Sequence, residues 1–200
     1  MIIEVSLLFA FLAMLCWGFG DFFIQRATRK IGDVESLAYI GVIGTIGLLP
    51  FVIKDFSLLF SLKNLFLLIL LGIITFIVAL FNFEALKKGK LAIVDVILEL
   101  ELPITIILGF LIFKETLSII QFSIIAFIFI GIILMATKSF SHWKQKLERG
   151  VILAIIAAIG MGFVNFLTAA SSKQVSPLMA VWFPWLIFTI FCFIVMLKRG

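Results

Sequence analysis

In 200 residues the chain carries one histidine, two cysteines and one tyrosine, and only 14% of its residues are charged. Each scarcity removes a class of function. A zinc hydrolase of the HExxH kind needs two histidines one helical turn apart, whereas His142 stands alone in a loop, where a solvated side chain is expected. Cys16 and Cys192 are far apart in sequence and fall in no metal or redox spacing, so buried, reduced thiols are expected. There is no paired-aspartate motif and no GxxxxGK[ST] loop for a nucleotide, so ATP is not the source of energy. No metal and no cofactor is expected. The charged fraction lies well below the roughly 25% of a soluble domain. The net charge of +5 does not point to nucleic acid, because the basic residues gather at the ends of apolar runs, where they set membrane orientation. The first apolar run lacks a basic leading segment, carries Glu4 and has no small-residue cleavage site, so it reads as a retained span and not a signal peptide.

What the chain has instead is long apolar runs. Hydrophobic residues make up 64% of it, and its mean hydropathy is +1.32. A helix crossing about 30 Å of hydrocarbon needs about 20 apolar residues. Runs of that size fall near 5–25, 36–53, 64–86, 91–113, 118–137, 150–170 and 178–197, which predicts seven spans. The runs are continuous and do not alternate, which excludes an outer-membrane barrel. An all-α polytopic membrane protein in a lipid bilayer is therefore expected. Taking alternate loops, twelve Lys and Arg fall on one side and four (Lys54, Lys63, Lys114 and Lys173) on the other. The richer side is expected to be cytoplasmic and the N-terminus outside, in the inner or plasma membrane.

The chain also repeats itself. Trp17-Gly18-Phe19-Gly20-Asp21-Phe22 returns 144 residues later as Met161-Gly162-Phe163-Val164-Asn165-Phe166, and Ala10 and Ala13 return as Ala154 and Ala157. A unit of five spans, an odd number, makes the next copy enter the membrane inverted. The loop after the first span holds Arg26, Arg29 and Lys30, while its counterpart holds Lys173 alone, as opposite sides require. Residues 1–137 are read as the first five-helix unit, 138–149 as a cytoplasmic linker and 150–200 as the first two helices of the second. The second copy stops at the counterpart of Phe56, so truncation, or completion by a homodimer or a missing C-terminal half, is expected.

Acids inside the spans are the candidate chemistry. A charged acid at the bilayer centre costs about 2.5–3.5 kcal/mol on insertion scales and marks ion or substrate routes. The fourth span holds Asp95, Glu99 and Glu101, followed by Pro103, whose ring is expected to kink the helix. At 100° per residue Asp95 and Glu99 share a face and Glu101 points away from it, so one cavity is not expected to receive all three. Asp21 and Glu84 are expected at the depth of Asp95, with Glu99 deeper. Glu84 has an alternative partner in Lys87 or Lys88, and Asp21 in Arg26. Trp17, one turn before Asp21, and Asn165, its counterpart in the repeat, complete the candidate pathway. Pro184 is expected to kink the last span, and Trp182 to join an interfacial belt.

Trp17-Gly18, Ala85-Leu86-Lys87-Lys88-Gly89 closing the third span, Pro103, Lys114-Glu115 in the next turn and Gly131 in the fifth span together resemble the EamA family of the drug/metabolite transporter superfamily. The resemblance implies ten helices in two inverted five-helix repeats, a central cavity, and movement of small metabolites without ATP. With the acids it points to a permease for a cationic or zwitterionic solute such as an amine or amino acid, possible proton coupling included. A non-transporting assembly subunit and an intramembrane enzyme acting on lipid-linked substrates are the alternatives. The enzyme lacks the basic or metal-binding set that a lipid diphosphate requires.

Overall fold

The computed structural model describes residues 2–114, 118–140 and 149–199. The helix start expected at Glu115 and the loop position of His142 lie outside them. Hydrocarbon offers the backbone no hydrogen bonds, so a spanning chain must satisfy its own, and every described element is accordingly a helix. In order these are α1 (Ile2–Ile31), α2 (Asp33–Val52) continued by a 3-10 segment (Ile53–Phe60), α3 (Leu62–Lys88), α4 (Leu91–Leu98), α5 (Glu101–Phe113), α6 (Ile119–Phe140), α7 (Arg149–Ser172) and α8 (Pro177–Arg199). Six described stretches are long and apolar enough to cross a membrane, with α4 and α5 together forming one of them. The seventh expected span corresponds to α6, a helix of 22 residues. Both α6 and α7 extend into the expected linker, so its ends are helical.

The spans run further than the apolar runs alone suggested. Only Gly32 separates α1 from α2, and its φ of 106° suits a residue without a Cβ. The polar residues Arg26 to Lys30 stay helical because the end of α1 is bonded to its neighbours, as described below. Asp33 and Glu35 open α2, where acids favour the positive end of the helix dipole. At the start of α8, Ser176 Oγ accepts from the Met179 N–H at 3.2 Å and donates to Asp55 Oδ2 at 2.6 Å.

Packing centres on α3, with α7 along one face and α8 along another. Ala85, Leu86, Val94 and Ala157 form a cluster joining α3, α4 and α7. Val34, Ala38, Phe83 and Cys192 join α2, α3 and α8. Small residues set the spacing: a methyl group on Gly41 or Gly44 of α2 would collide with Thr189 or Trp185 of α8, while Gly47 is open. Trp182 does not join an interfacial belt. It is buried at 5% exposure, and its indole N–H donates to the Thr45 carbonyl at 2.8 Å, because α2 presents that carbonyl across a close helix contact. Helix α8 continues through Pro184 without interruption.

One element departs from this packing. Residues 7–19 of α1 are all exposed, and α1 joins the bundle only through its last turns, where Ile24 packs and Gln25 and Thr28 are buried.

Candidate functional site

The fourth span, Leu91–Phe113, is interrupted near its middle. Helix α4 ends at Leu98, and α5 begins at Glu101. Across the break, Leu100 N–H bonds the Ile97 carbonyl at 3.1 Å and Leu102 N–H bonds the Glu99 carbonyl at 3.2 Å, both in the tighter i−3 pattern. Pro103 explains the position. A proline lacks the N–H that would reach the carbonyl four residues back, and its ring crowds that carbonyl, here that of Glu99. The interruption thus falls at the acids and not after them, and Pro103 sits buried in the first turn of α5, where a missing N–H costs little.

Through the break Glu99 and Leu100 keep right-handed helical backbone angles, so the chain tightens locally between α4 and α5. Helices α1 and α4 touch, and the side chains of Asp21 and Asp95 come near enough to interact across that contact. Glu99 and Glu101 lie within electrostatic reach of Asp21, and Glu101 of Glu99. Glu101 thus acts on the other acids through its charge, while its own hydrogen-bond partner lies on α7. Glu99 is exposed, and the other three are partly buried.

Glu101 is held from α7. Asn165 Nδ2 donates to Glu101 Oε1 at 3.1 Å, and Thr105 Oγ1 donates to the Glu101 and Gly162 carbonyls at 2.8 and 3.2 Å. Gly162 permits this approach, since a Cβ there would lie 2.5 Å from Ile104 Cγ2 and 3.1 Å from the Glu101 carbonyl. Asp21 and Asn165 are 144 residues apart in the repeat, and each holds an acid of the same interrupted span.

The remaining candidates lie elsewhere. Glu84 is paired with Lys88, and Lys87 approaches it at 3.8 Å; Lys87 also meets Asp33 at 3.3 Å. Trp17 is 71% exposed on the free part of α1. Among the described residues no three His, Cys, Asp or Glu side chains converge closely enough to hold a metal ion. An apolar groove of about 610 Å³ between α5 and α6, lined by Pro103, Ile107, Phe110, Phe122 and Phe129, offers nothing to a charged solute. Sequence reasoning missed Thr105, whose role depends on α7, and Gln25 and Arg29, whose partners are backbone carbonyls that no motif reveals.

The family model described as the EamA-like transporter family matches residues 5–137. No curated protein and no solved structure matches the chain.

Proposed function

Because this chain belongs to the EamA-like transporter family, we propose that it moves a small cationic or zwitterionic metabolite, of the amine or amino-acid kind, by secondary transport coupled to protons. One observation carries this reading: Asp21 and Asp95 approach each other where α1 meets the interrupted fourth span, with Glu99 and Glu101 in electrostatic reach. Ionised carboxylates only accept hydrogen bonds, so two of them brought near each other favour a proton or a cation held between them. Loss of that proton leaves two like charges together in a poorly solvated place, and an ammonium group from the substrate relieves the repulsion. Proton and substrate then compete for one site, which is the exchange a proton-coupled carrier needs. Interrupted helices at the bilayer midplane are the usual position of such sites in secondary transporters.

The acids and the scarcity of basic side chains within the spans disfavour phosphorylated anions. Each carboxyl has a role in this scheme: Asp21 and Asp95 hold the exchanged cation, exposed Glu99 receives it, and Glu101, fixed by Asn165, adds negative potential. The basic face is proposed to be cytoplasmic, with the N-terminus outside.

The test is proton flux in liposomes holding the protein, driven by a panel of amines and amino acids. Substrate-dependent flux should be abolished by Asp21→Asn or Asp95→Asn and strongly reduced by Glu99→Gln. Wild-type-like flux in all three variants would remove the carboxyl groups from the mechanism.

A further inference from the structure

Asp21, Gln25 and Arg29 follow one another at one-turn intervals along a single face of α1. Asp21 meets Asp95 of α4. One turn on, Gln25 Nε2 donates to the Leu86 carbonyl at 2.9 Å and the Gly89 carbonyl at 3.3 Å. A further turn on, Arg29 donates from Nε to the Lys87 carbonyl at 3.2 Å and from Nη2 to the Gly89 carbonyl at 2.6 Å. Carbonyls at a helix C-terminus lack partners within the helix, and a cation there also answers the negative end of the dipole. Lys87 and Lys88 do not compete for them, being engaged by Asp33 and Glu84.

This clamp joins two bodies that the carboxyl pair also joins. Gly89 and Lys90 are the only non-helical residues between α3 and α4, so displacement of Gly89 displaces α4 and, with it, Asp95. The corner rests on α7 backbone to backbone, since a Cβ on Gly150 would lie 2.5 Å from Gly89 Cα. Burial differs on the two sides of the acids. Toward the clamp, Gln25 is 9% and Thr28 0% exposed. In the other direction, no protein covers residues 7–19 of α1, whose apolar side chains suit lipid, and Glu99 at the helix break is exposed.

Building on the transport reading above, we infer that Gln25 and Arg29 are the latch of a gate that closes the acidic site toward the Arg29 end, and that the Asp21–Asp95 pair controls it. A proton or cation shared by the two carboxyl groups draws α1 onto α4 and lets the latch bonds form. Two bare carboxylates push α1 and α4 apart and release those bonds to water. Backbone carbonyls suit a latch because water replaces the lost donors at little cost, which buried apolar contacts do not allow. The gate therefore shuts behind a bound cation and opens when the site is empty and ionised.

The experiment reads the latch without any substrate. The complete protein, with Cys16→Ala and Cys192→Ala, carries Thr28→Cys as a reporter and is labelled by a membrane-impermeant maleimide in vesicles of each orientation. Labelling should be slow from both sides. Arg29→Ala or Gln25→Ala should raise it about tenfold or more from the Arg29 side only, the effect of losing a charge-assisted or doubly made hydrogen bond. Arg29→Lys should give an intermediate rate, and adding Asp21→Asn to it should lower that rate again by removing the repulsion. Rates unmoved by Arg29→Ala and Gln25→Ala, or raised equally from both sides, overturn the latch. A rate raised by Arg29→Ala but indifferent to Asp21→Asn in the Arg29→Lys background overturns control by the carboxyl pair. None of these outcomes depends on flux, so failure of the latch and failure of the transport reading are separately visible.

Discussion

At Glu101 one amide decides whether a partly buried carboxyl is tolerated. Asn165 supplies the side-chain donor from α7, and removing it leaves the acid without that bond in a site poorly reached by water. Asn165→Ala should lower stability by about 1–3 kcal/mol, the cost of an unsatisfied buried polar group, measured by thermal unfolding in detergent. Glu101→Gln keeps an amide that accepts from Asn165 and should stay within about 1 kcal/mol of the parent by the same reasoning. The acids themselves were legible in the sequence, because charge within an apolar run has few structural explanations. The partner of Glu101 was only half legible: Asn165 stood out as the repeat counterpart of Asp21, but nothing in the spacing linked it to Glu101. Trp182 misled for a similar reason. An aromatic near the end of an apolar run suggests the interface, and only the approach of α2 supplies the carbonyl that buries its indole N–H.

At the scale of the element, the interrupted span is governed by Pro103. Pro103→Ala restores an N–H able to bond the Glu99 carbonyl, and it removes the ring that crowds that carbonyl. Helices α4 and α5 should then join into one continuous helix. The expected result is a protein as stable as the parent or more so, with substrate-dependent flux reduced at least tenfold, because the local turn that sets Glu99 against Glu101 is lost. Equal flux in this variant would show that the break is dispensable. Facing it, Gly162→Leu should destabilise by about 1–3 kcal/mol through overpacking, since even a Cβ there reaches Ile104 and the Glu101 carbonyl. Helix existence was readable from apolar length alone. The location of the break was not, because a proline constrains the residue four positions earlier, and whether it bends or interrupts the helix depends on neighbours such as α7.

For the whole molecule, the distribution of basic residues predicts the orientation in the membrane. Lys90→Cys and Lys63→Cys, placed singly in a protein without native cysteines, should react with an impermeant thiol reagent from opposite sides, Lys90→Cys from the cytoplasm. Labelling of both from one side would contradict the alternation of spans, and reversed labelling would invert the proposed topology. The bundle's division of labour was partly visible in advance. The first and sixth spans stood out through their repeat, while the central position of α3 was hidden, since an apolar run does not announce which faces meet protein and which meet lipid.

The free stretch of α1 has an optical consequence. Trp17 is 71% exposed there, whereas Trp182 is 5% exposed, so acyl chains carrying bromine should quench the emission of Trp17 far more than that of Trp182. Anything that comes to cover α1 will shield Trp17 and brighten its emission. The chain therefore carries its own fluorescent gauge of when that helix exchanges lipid for protein.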